Sequence, residues 1–217
     1  MRIVMLGLAG AGKGTQSQIL KDELSLSLLS SGDLFRHHQN EGTELGMLAK
    51  NYMKNGQLVP DEITINMILD GVNDVGSGGF VLDGFPRTLS QAEALDKALT
   101  HDPIDCVVYI RVNEGELLIR LTDRLICRSC GAPYSKRILG PIKDCGKCGG
   151  QLYKREDDKP EVVKKRFKAQ LPGLHQLVSY YSGQSKLVEV NGDQSVAEVS
   201  REALQASSEM MVGNPSK

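Results

Sequence analysis

The chain has 217 residues, 40% of them hydrophobic and 24% charged, a composition that is typical of a globular protein and that excludes a fully disordered chain. Lys and Arg number 26 and Asp and Glu number 27, which gives a formal charge of −1. Such a balanced chain lacks the positive surface that general nucleic-acid or membrane binding needs, so an anionic ligand would require locally placed basic residues.

Short apolar runs alternate with amphipathic stretches along most of the chain. The apolar runs, rich in Val, Ile and Leu, predict buried strands at Ile3–Leu6, Leu26–Leu29, Phe80–Leu82, Cys106–Val112 and Leu187–Val190. The amphipathic stretches predict helices at Lys13–Leu24, Asp33–Met53, Asp61–Val72, Ser90–Leu99, Glu114–Leu125, Pro160–Tyr181 and Ser195–Met210. Asp61 and Ser90 are candidate N-caps, and Glu93 completes a capping-box pattern with Ser90. This alternation predicts an α/β fold, a parallel sheet with helices on both faces.

A glycine-rich segment, GLAGAGKGT from Gly7 to Thr15, follows the first predicted strand and precedes the first predicted helix. Glycines let successive backbone N–H groups point into one concavity, and the helix adds its positive N-terminal end. Lys13 would bring a full charge to the transferred phosphate. The residues expected to bind phosphate are Gly10, Ala11, Gly12, Lys13, Gly14 and Thr15, which form the ATP site that the resemblance described below implies. The alternative is a glycine-rich turn without a ligand.

The position after Lys13 departs from the strict phosphate-loop pattern. That pattern has Ser or Thr there to contact Mg²⁺, whereas this chain has Gly14 and carries Thr15 one step later. We therefore expect magnesium to be held through water, because Mg²⁺ retains several of its waters readily.

Residues 127–153 carry four cysteines and several glycines and show neither helical nor strand periodicity, which predicts a small inserted module. The cysteines form two CxxC pairs, Cys127 with Cys130 and Cys145 with Cys148, separated by the 14 residues 131–144. Four thiolates would fill the coordination shell of a structural Zn²⁺. A redox pair is the alternative. Cys106, in a predicted strand, is expected to be a core thiol.

Motifs along the chain resemble those of adenylate kinases in order and spacing, over residues 1–206. The loop form GKGT occurs in nucleoside monophosphate kinases, and it is followed by SSGDLFR at residues 30–36, GQLVPD at 56–61 and DGFPR at 83–87 with Gln91. The resemblance implies a P-loop NTPase core with a five-stranded parallel sheet of order 2-3-1-4-5, a small AMP-binding insertion and a zinc-ribbon-like lid. It also implies reversible phosphoryl transfer from MgATP to AMP, giving two ADP.

The same resemblance implies domain bounds and an AMP site. The core would comprise residues 1–29, 60–121 and 160–217, the insertion residues 30–59, and the lid residues 122–159. Asp83 would orient the water shell of magnesium. The implied AMP-binding residues are Ser31, Arg36, Gln57, Leu58, Val59, Gly84, Phe85, Pro86, Arg87, Gln91, Arg155 and Arg166. Without the resemblance, alternative interpretations are that Arg36 is a solvated helix residue and that Asp83 caps the turn at Gly84.

A set of basic residues matches the family's catalytic positions: Lys13, Arg87, Arg120, Arg124, Arg155 and Arg166. Two nucleotides bring about five phosphate groups together, so several preorganised cations are needed. Arg120 and Arg124 lie four residues apart, on one face of the predicted helix. The remaining implied ATP contacts are Arg124, Pro133, Tyr134 and Gln194. The alternative for Arg155 and Arg166 is surface ion pairing with Asp157, Asp158 or Glu161.

Two lid positions differ from the family pattern: Leu125 stands where an arginine is common, and Ser135 where a histidine is common. No apolar stretch approaches the length of a membrane span, and the N-terminus lacks a secretion signal. We therefore expect a cytoplasmic monomer that binds ATP, AMP and ADP but no nucleic acid or membrane. The alternatives are a kinase for UMP or CMP and a nucleotide-dependent switch with a zinc ribbon.

Overall fold

A computed structural model of the chain describes residues 1–76, 78–140 and 142–212, so residues 213–217 of the predicted core lie outside the described residues. The strands are β1 (Arg2–Leu6), β2 (Ser27–Ser30), β3 (Phe80–Asp83), β4 (Cys106–Arg111), β5 (Arg124–Cys127), β6 (Pro133–Ser135), β7 (Leu152–Tyr153) and β8 (Leu187–Asn191). The helices are α1 (Lys13–Leu24), α2 (Ser31–Asn40), α3 (Glu44–Lys54), α4 (Asp61–Val75), α5 (Leu89–Ala98), α6 (Glu114–Asp123), α7 (Lys136–Leu139), α8 (Pro160–Gly183) and α9 (Val196–Val212).

Five strands form one parallel sheet in the order β2-β3-β1-β4-β8. Counting only these five strands along the chain, the order is 2-3-1-4-5, which confirms the expected fold class. The central strand β1 is buried along its whole length, with Ile3 opposite Val81 on one side and Cys106 on the other. Strands buried on both faces explain the continuous apolar runs of the sequence. No helix within the described ranges is long and apolar enough to cross a membrane.

The predicted helix Asp33–Met53 is wrong, because two helices, α2 and α3, occupy this region. The chain turns between them at Gly42, which has a φ of 67°. Thr43 then caps α3, since its side chain accepts a hydrogen bond from the backbone N–H of Gly46 at 3.1 Å. A glycine followed by a capping threonine is a helix-stop and helix-start signal that apolar periodicity alone overlooks.

The predicted helix Glu114–Leu125 is also too long. Helix α6 ends at Asp123, and Arg124 begins β5, which pairs antiparallel with β6 and β7 in a second, three-stranded sheet. Asp123 anchors this change of direction by accepting hydrogen bonds from the Ser135 hydroxyl at 2.5 Å and the Arg137 backbone N–H at 2.7 Å. Arg120 and Arg124 therefore do not share one helix face, and residues 127–153 do contain strand segments.

Both predicted N-caps are wrong. Pro60 is the N-cap of α4, and Asp61 is its first helical residue. The N-cap of α5 is Thr88, whose hydroxyl accepts from the backbone N–H of Gln91 at 3.3 Å. Asp61 and Ser90 instead contact each other between the two helices, where the Ser90 hydroxyl donates to the Asp61 carboxylate. The carboxylate that was expected to cap one helix therefore links the starts of two.

Candidate active site

The glycine-rich loop between β1 and α1 has a backbone that requires glycine. Gly7, Gly10 and Gly12 have φ values of 142°, 87° and 96°, in the region where other side chains are strained. A Cβ at Gly7 would lie 2.7 Å from the carbonyl oxygen of Ile110, and a Cβ at Gly10 would lie 2.9 Å from Cγ of Leu121. The loop leads into the N-terminus of α1, so its backbone N–H groups and the helix end form a site that favours an anion.

Lys13, the first residue of α1, directs its ammonium group back over this loop. Its Nζ donates to the carbonyl oxygens of Gly7 at 2.8 Å and Leu8 at 3.0 Å. Burial lowers the pKa of Lys13 to about 8, the Asp83 carboxylate opposes that shift, and the Arg87 guanidinium adds to it. The ammonium group thus lies close enough to both neighbours to feel their charges, and a phosphate in the loop would lie beside it.

Asp83 ends β3 at the carboxyl edge of the sheet, opposite Met5 of β1. A Cβ at Gly14 would lie 3.3 Å from Oδ2 of Asp83. The carboxylate therefore lies next to the position at which the strict loop pattern has a hydroxyl. Ligands bind outside the carboxyl ends of strands in open parallel sheets, and this carboxylate lies at that edge.

A cavity opens beside the phosphate loop, and most of the implied AMP-binding residues line it. They come from α2, from the segment before α4, from the segment that joins β3 to α5, from the first turn of α5, and from α8. The implied residues found there are Ser31, Arg36, Gln57, Leu58, Val59, Gly84, Arg87, Gln91 and Arg166. Phe85 and Pro86 are buried between Gly84 and Arg87 and do not line the cavity, and Arg155 lies outside its lining as well.

The carbonyl oxygen of Gly84 ties two of these residues together. It accepts hydrogen bonds from the Ser31 hydroxyl at 2.8 Å and from Nε of Arg87 at 2.7 Å. Gly84 has a φ of 79°, and a Cβ there would lie 2.7 Å from the Ser31 oxygen and 2.9 Å from Nη2 of Arg87. The position of the Arg87 guanidinium therefore depends on glycine at residue 84.

At the AMP site that the motifs imply, Gly84→Ala should raise the KM for AMP roughly 10- to 100-fold, because the new methyl group must displace the Arg87 guanidinium. The free energy of unfolding should fall by about 1–3 kcal/mol from backbone strain and crowding. Steady-state kinetics and urea unfolding measure the two effects.

Gly76→Ala is the matched control for that substitution. Gly76 also has a positive φ, 64°, but a Cβ there would meet nothing within 4 Å. It should therefore lose about 1 kcal/mol of stability while the KM for AMP stays unchanged. Equal KM values in the two variants would contradict the dependence of Arg87 on Gly84.

Arginines from this cavity and from the predicted lid segment converge near Lys13. Burial, followed by the charges of Arg36 and Arg124, lowers the pKa of Arg155 to about 10. Burial likewise lowers the pKa of Arg87 to about 10, with Arg166 as the next contribution. These mutual effects mean that the guanidinium groups repel one another, so an anion bound among them would relieve the repulsion.

Two carboxylates partly balance this arginine cluster. Asp158 is fully buried and accepts two hydrogen bonds from Arg124, at 2.9 Å from Nε and 2.6 Å from Nη2. Nη1 of Arg166 lies 3.0 Å from Asp157 and 3.5 Å from Asp158. Because none of these side chains is more than 20% exposed, they do not form the exposed surface pairs of the alternative interpretation.

Three of the predicted arginines differ in their hydrogen-bond partners. Nε of Arg155 is buried and has no hydrogen-bond partner among the described residues. Arg36 pairs with the exposed carboxylate of Asp33. Arg120 turns away from the cluster, because it donates to Glu116 at 2.9 Å and to the carbonyl oxygen of Gly192 at 3.1 Å. The structure thus brings the predicted cations together except Arg120, which lies toward β8.

Gln194 follows β8 and donates from Nε2 to Glu202 at 2.9 Å. The carbonyl oxygen of nearby Gly192 is the acceptor for Arg120, so Arg120 and Gln194 both lie near the carboxyl end of β8. The cavity is also lined by residues that were not predicted as site residues, although three of them lie within the quoted motifs: Gly32, Phe35 and Gly56 within the motifs, and Met53, Thr64, Asp157 and Gln170 outside them. Asp157 had a signal, its place in the acidic run Glu156-Asp157-Asp158 that follows Arg155, whereas Thr64 and Gln170 are ordinary helix residues in the sequence.

The four lid cysteines lie together as a candidate metal site. Their Sγ atoms all lie within 4.8 Å of one another, with 3.5 Å between Cys127 and Cys148 and 3.6 Å between Cys130 and Cys145. Sulfurs around a tetrahedral Zn²⁺ with bonds of about 2.3 Å lie about 3.8 Å apart, so the group fits such an ion. A Cβ at Gly150 would lie 2.9 Å from Sγ of Cys127, which explains the glycine at this position.

Tyr134 connects the predicted ATP-binding strand to this cluster. It lies in β6 with Pro133, opposite Leu125, and its hydroxyl lies 3.0 Å from Sγ of Cys145. That hydrogen bond lowers the pKa of Cys145 to about 6, which favours the thiolate form that metal binding requires. The Arg128 guanidinium stacks over the Tyr153 ring at 4.4 Å. The cluster is therefore tied to the three-stranded sheet.

The parallel sheet, its phosphate loop and the guanidinium groups beside that loop define a P-loop nucleotide-binding protein. A family model described as adenylate kinase matches residues 5–186. An adenylate kinase of Desulforudis audaxviator is 44% identical over 209 residues, 94% of this chain and 98% of the relative. Those of Dehalococcoides mccartyi and Caldicellulosiruptor bescii are 45% and 44% identical, over 94% and 95% of this chain and 96% and 98% of the relatives. The chain belongs to the adenylate kinase family, enzymes that transfer a phosphoryl group between ATP and AMP.

Proposed function

We propose that the chain catalyses reversible transfer of the terminal phosphoryl group of MgATP to AMP, giving two ADP, with the residue roles described below. The observation that carries this proposal is the proximity of Lys13, in the phosphate loop, to Arg87, in the neighbouring cavity, such that the charge of one lowers the pKa of the other. A donor phosphate and an acceptor phosphate would therefore meet at one point.

The ATP phosphates would lie in the loop from Gly10 to Thr15, under Lys13. Asp83 would orient the water shell of the magnesium that ATP brings as part of the substrate. Arg124, Pro133, Tyr134 and Gln194 would contact the rest of ATP, and Arg120 would reach it by leaving Glu116. The backbone of the loop and the place of Asp83 at the end of β3 support the first two assignments, and the others follow from the resemblance of the motifs.

AMP would occupy the cavity beside the loop. Arg36 and Arg87 would bind its phosphate, since planar guanidinium groups match phosphate oxygens in pairs. Gln57, Leu58, Val59 and Gly84, with Ser31, would surround the nucleoside, and Gln91 would contact the base. Phe85 and Pro86 would support Arg87 from behind. The relatives quoted above carry the adenylate name, which favours AMP over UMP or CMP as the acceptor.

Arg124, Arg155 and Arg166 would act on the moving phosphoryl group. In phosphoryl transfer the protein contributes mainly positioning and charge, and negative charge spreads over the transferred oxygens in the transition state. Asp157 and Asp158 hold two of these arginines at fixed places, while Nε of Arg155 has no described partner and is free to take a phosphate oxygen. The cluster is thus preorganised for an anion.

We further propose that Zn²⁺ occupies the four lid thiolates and that residues 122–159 close over the site. Four sulfur ligands leave no open position, so the ion would stiffen the lid and take no chemical part. A rigid lid excludes water, which otherwise competes with AMP for the phosphoryl group. None of the five cysteines is paired in a disulfide, which suits a reducing compartment, and we expect a cytoplasmic monomer.

The pH dependence of ATP use should report the ionisation of Lys13. Burial lowers the pKa of Lys13 to about 8 in the free enzyme, so kcat/KM for ATP should fall as the pH rises above this value and the ammonium loses its proton. Bound phosphates favour the charged form, so the same fall in kcat should appear at higher pH. In Lys13→Arg the side chain stays charged throughout this pH range, so kcat/KM for ATP should no longer fall above pH 8. The same fall in that variant would contradict the assignment to Lys13.

A panel of acceptors tests the proposed reaction. The chain with MgATP should form ADP rapidly with AMP and far more slowly with UMP, CMP or GMP. Lys13→Met should abolish most of that turnover. ATP hydrolysis without an acceptor, combined with no ADP formed from AMP, would favour the nucleotide-switch alternative and contradict the proposal.

A further inference from the structure

A hydrogen-bonded cluster behind the AMP cavity has no role in the proposed transfer. Asp61, the first residue of α4, accepts from Thr88 at 2.6 Å and from Ser90 through Oδ2, and from Nε2 of Gln91 at 2.6 Å through Oδ1. Gln91 is 1% exposed and lines the cavity, and its Oε1 accepts from the backbone N–H of Arg87 at 2.7 Å. The oxygen and the nitrogen of the Gln91 carboxamide are therefore each held by a hydrogen bond.

The two partners of Gln91 permit one orientation of its carboxamide. An ionised carboxylate can only accept hydrogen bonds, and a backbone N–H can only donate. Burial works to raise the pKa of Asp61, but hydrogen bonds from Ser90, Thr88 and Gln91 hold it below its usual value, so the group is ionised at neutral pH. Rotating the carboxamide by 180° would set Oε1 against the carboxylate and Nε2 against the Arg87 N–H. Both contacts would then be repulsive.

We propose that Asp61 is a positioning residue for base selection: by fixing the carboxamide of Gln91 in one orientation, it makes the cavity select an adenine over a hypoxanthine base. The inference rests on the proposed function, in which Gln91 contacts the base of AMP.

The chemistry of the two bases makes this orientation decisive. After the bonds to Asp61 and Arg87, the Gln91 carboxamide retains one N–H and one oxygen lone pair. Adenine presents an amino donor at position 6 beside an acceptor at N1, whereas hypoxanthine presents an acceptor at position 6 beside a donor at N1. A carboxamide fixed in one orientation matches one of these patterns and opposes the other. A site that leaves polar groups unpaired in this way rejects the wrong ligand strongly.

The test compares kcat/KM for AMP and for inosine monophosphate in the native chain, Asp61→Asn and Asp61→Ala. Asp61→Asn preserves size and hydrogen bonding, but its amide can offer either an oxygen or an NH₂ group to Gln91. We expect the AMP preference to fall severalfold in Asp61→Asn and about tenfold in Asp61→Ala, the factor associated with one charge-assisted hydrogen bond. The KM for AMP should rise more than kcat falls, because the lost contact binds substrate and transition state alike.

Glu62→Gln is the matched control, since Glu62 is the exposed next residue of α4, and it should keep the native preference. If the native chain prefers AMP and both Asp61 variants retain that ratio, Asp61 only ties α4 to α5 and the inference is overturned, even if unfolding shows lost stability. If the native chain transfers equally to both nucleotides, the cavity does not select the base and the inference alone fails. If it transfers to neither, the proposed function itself fails, and the inference falls with it. If Asp61→Ala does not fold, the comparison of Asp61→Asn with the native chain is sufficient for the test.

Discussion

Lys13→Met should lose about 10²–10³-fold or more in kcat and, at the same time, gain stability at pH 7. The loss follows from removing the charged group nearest the transferred phosphate, where single preorganised donors contribute effects of this size. The gain follows from the lowered pKa of Lys13, about 8 against an ordinary 10.5. Holding the ammonium charged in the folded protein is unfavourable, and methionine removes that penalty. We expect the free energy of unfolding to rise by about 1–2 kcal/mol, less than the pKa shift alone suggests because two hydrogen bonds are lost.

The stability gain should depend on pH in a defined direction. Between about 8 and 10.5 the unfolded chain binds the Lys13 proton and the folded chain does not, so the native protein becomes more stable as the pH rises through this window. The advantage of Lys13→Met should therefore be complete below pH 8 and disappear above about 10.5.

Urea unfolding at pH 7 and pH 9.5 measures the gain in stability of Lys13→Met, and steady-state kinetics on the same samples measures the loss in kcat. Lys21→Met is the control, because Lys21 lies on the same helix with 41% of its side chain exposed and should change neither quantity. A Lys13→Met variant that is both inactive and less stable at pH 7 would show that Lys13 acts mainly as a structural clamp of the loop.

Cys145→Ser should release the lid metal and loosen the lid without unfolding the parallel-sheet core. In the lid, burial of large apolar side chains among the described residues is confined to Leu125 and Ile126 of β5, too little to hold the segment together. Structural zinc contributes binding energy to folding directly. We expect bound zinc to fall from about one ion per chain to near zero, and the melting temperature to fall by about 10 °C. The KM for ATP should rise, because Tyr134 loses its sulfur partner.

Metal analysis, limited proteolysis and calorimetry follow this change. Cleavage of the variant should concentrate within residues 122–159. Cys106→Ala provides the control, because Cys106 is a buried thiol of β4 outside the cluster. This variant should retain its zinc, and its lid should stay resistant to proteolysis. Native protein that contains no metal and does not respond to chelators would contradict the zinc assignment.

The core of the fold could be predicted from the sequence because its strands are buried on both faces. Such strands appear as short apolar runs, and each of the five predicted runs overlaps an observed strand. The phosphate loop was equally accessible, since Gly7, Gly10 and Gly12 are required by backbone geometry that few other residues tolerate. The cysteine cluster followed from ligand spacing alone.

The errors arose where local patterns competed with contacts distant in sequence. The break between α2 and α3 depends on a single glycine and threonine within an otherwise helical pattern. The end of α6 depends on pairing of β5 with β6 and β7, which periodicity cannot reveal. Asp61 looked like a cap, but its partners Thr88 and Gln91 lie about thirty residues away in the chain. The burial of Asp158 beneath Arg124 also needed the folded structure.

A crystal structure with two adenosines joined by five phosphates tests the central claim most directly. The account predicts that Lys13 and the guanidinium groups of Arg36, Arg87, Arg124, Arg155 and Arg166 lie within hydrogen-bond distance of the phosphate chain, one adenosine in the cavity beside Gln91 and the other under the lid. Guanidinium groups that point away from the phosphates, with the ligand elsewhere on the chain, would contradict it.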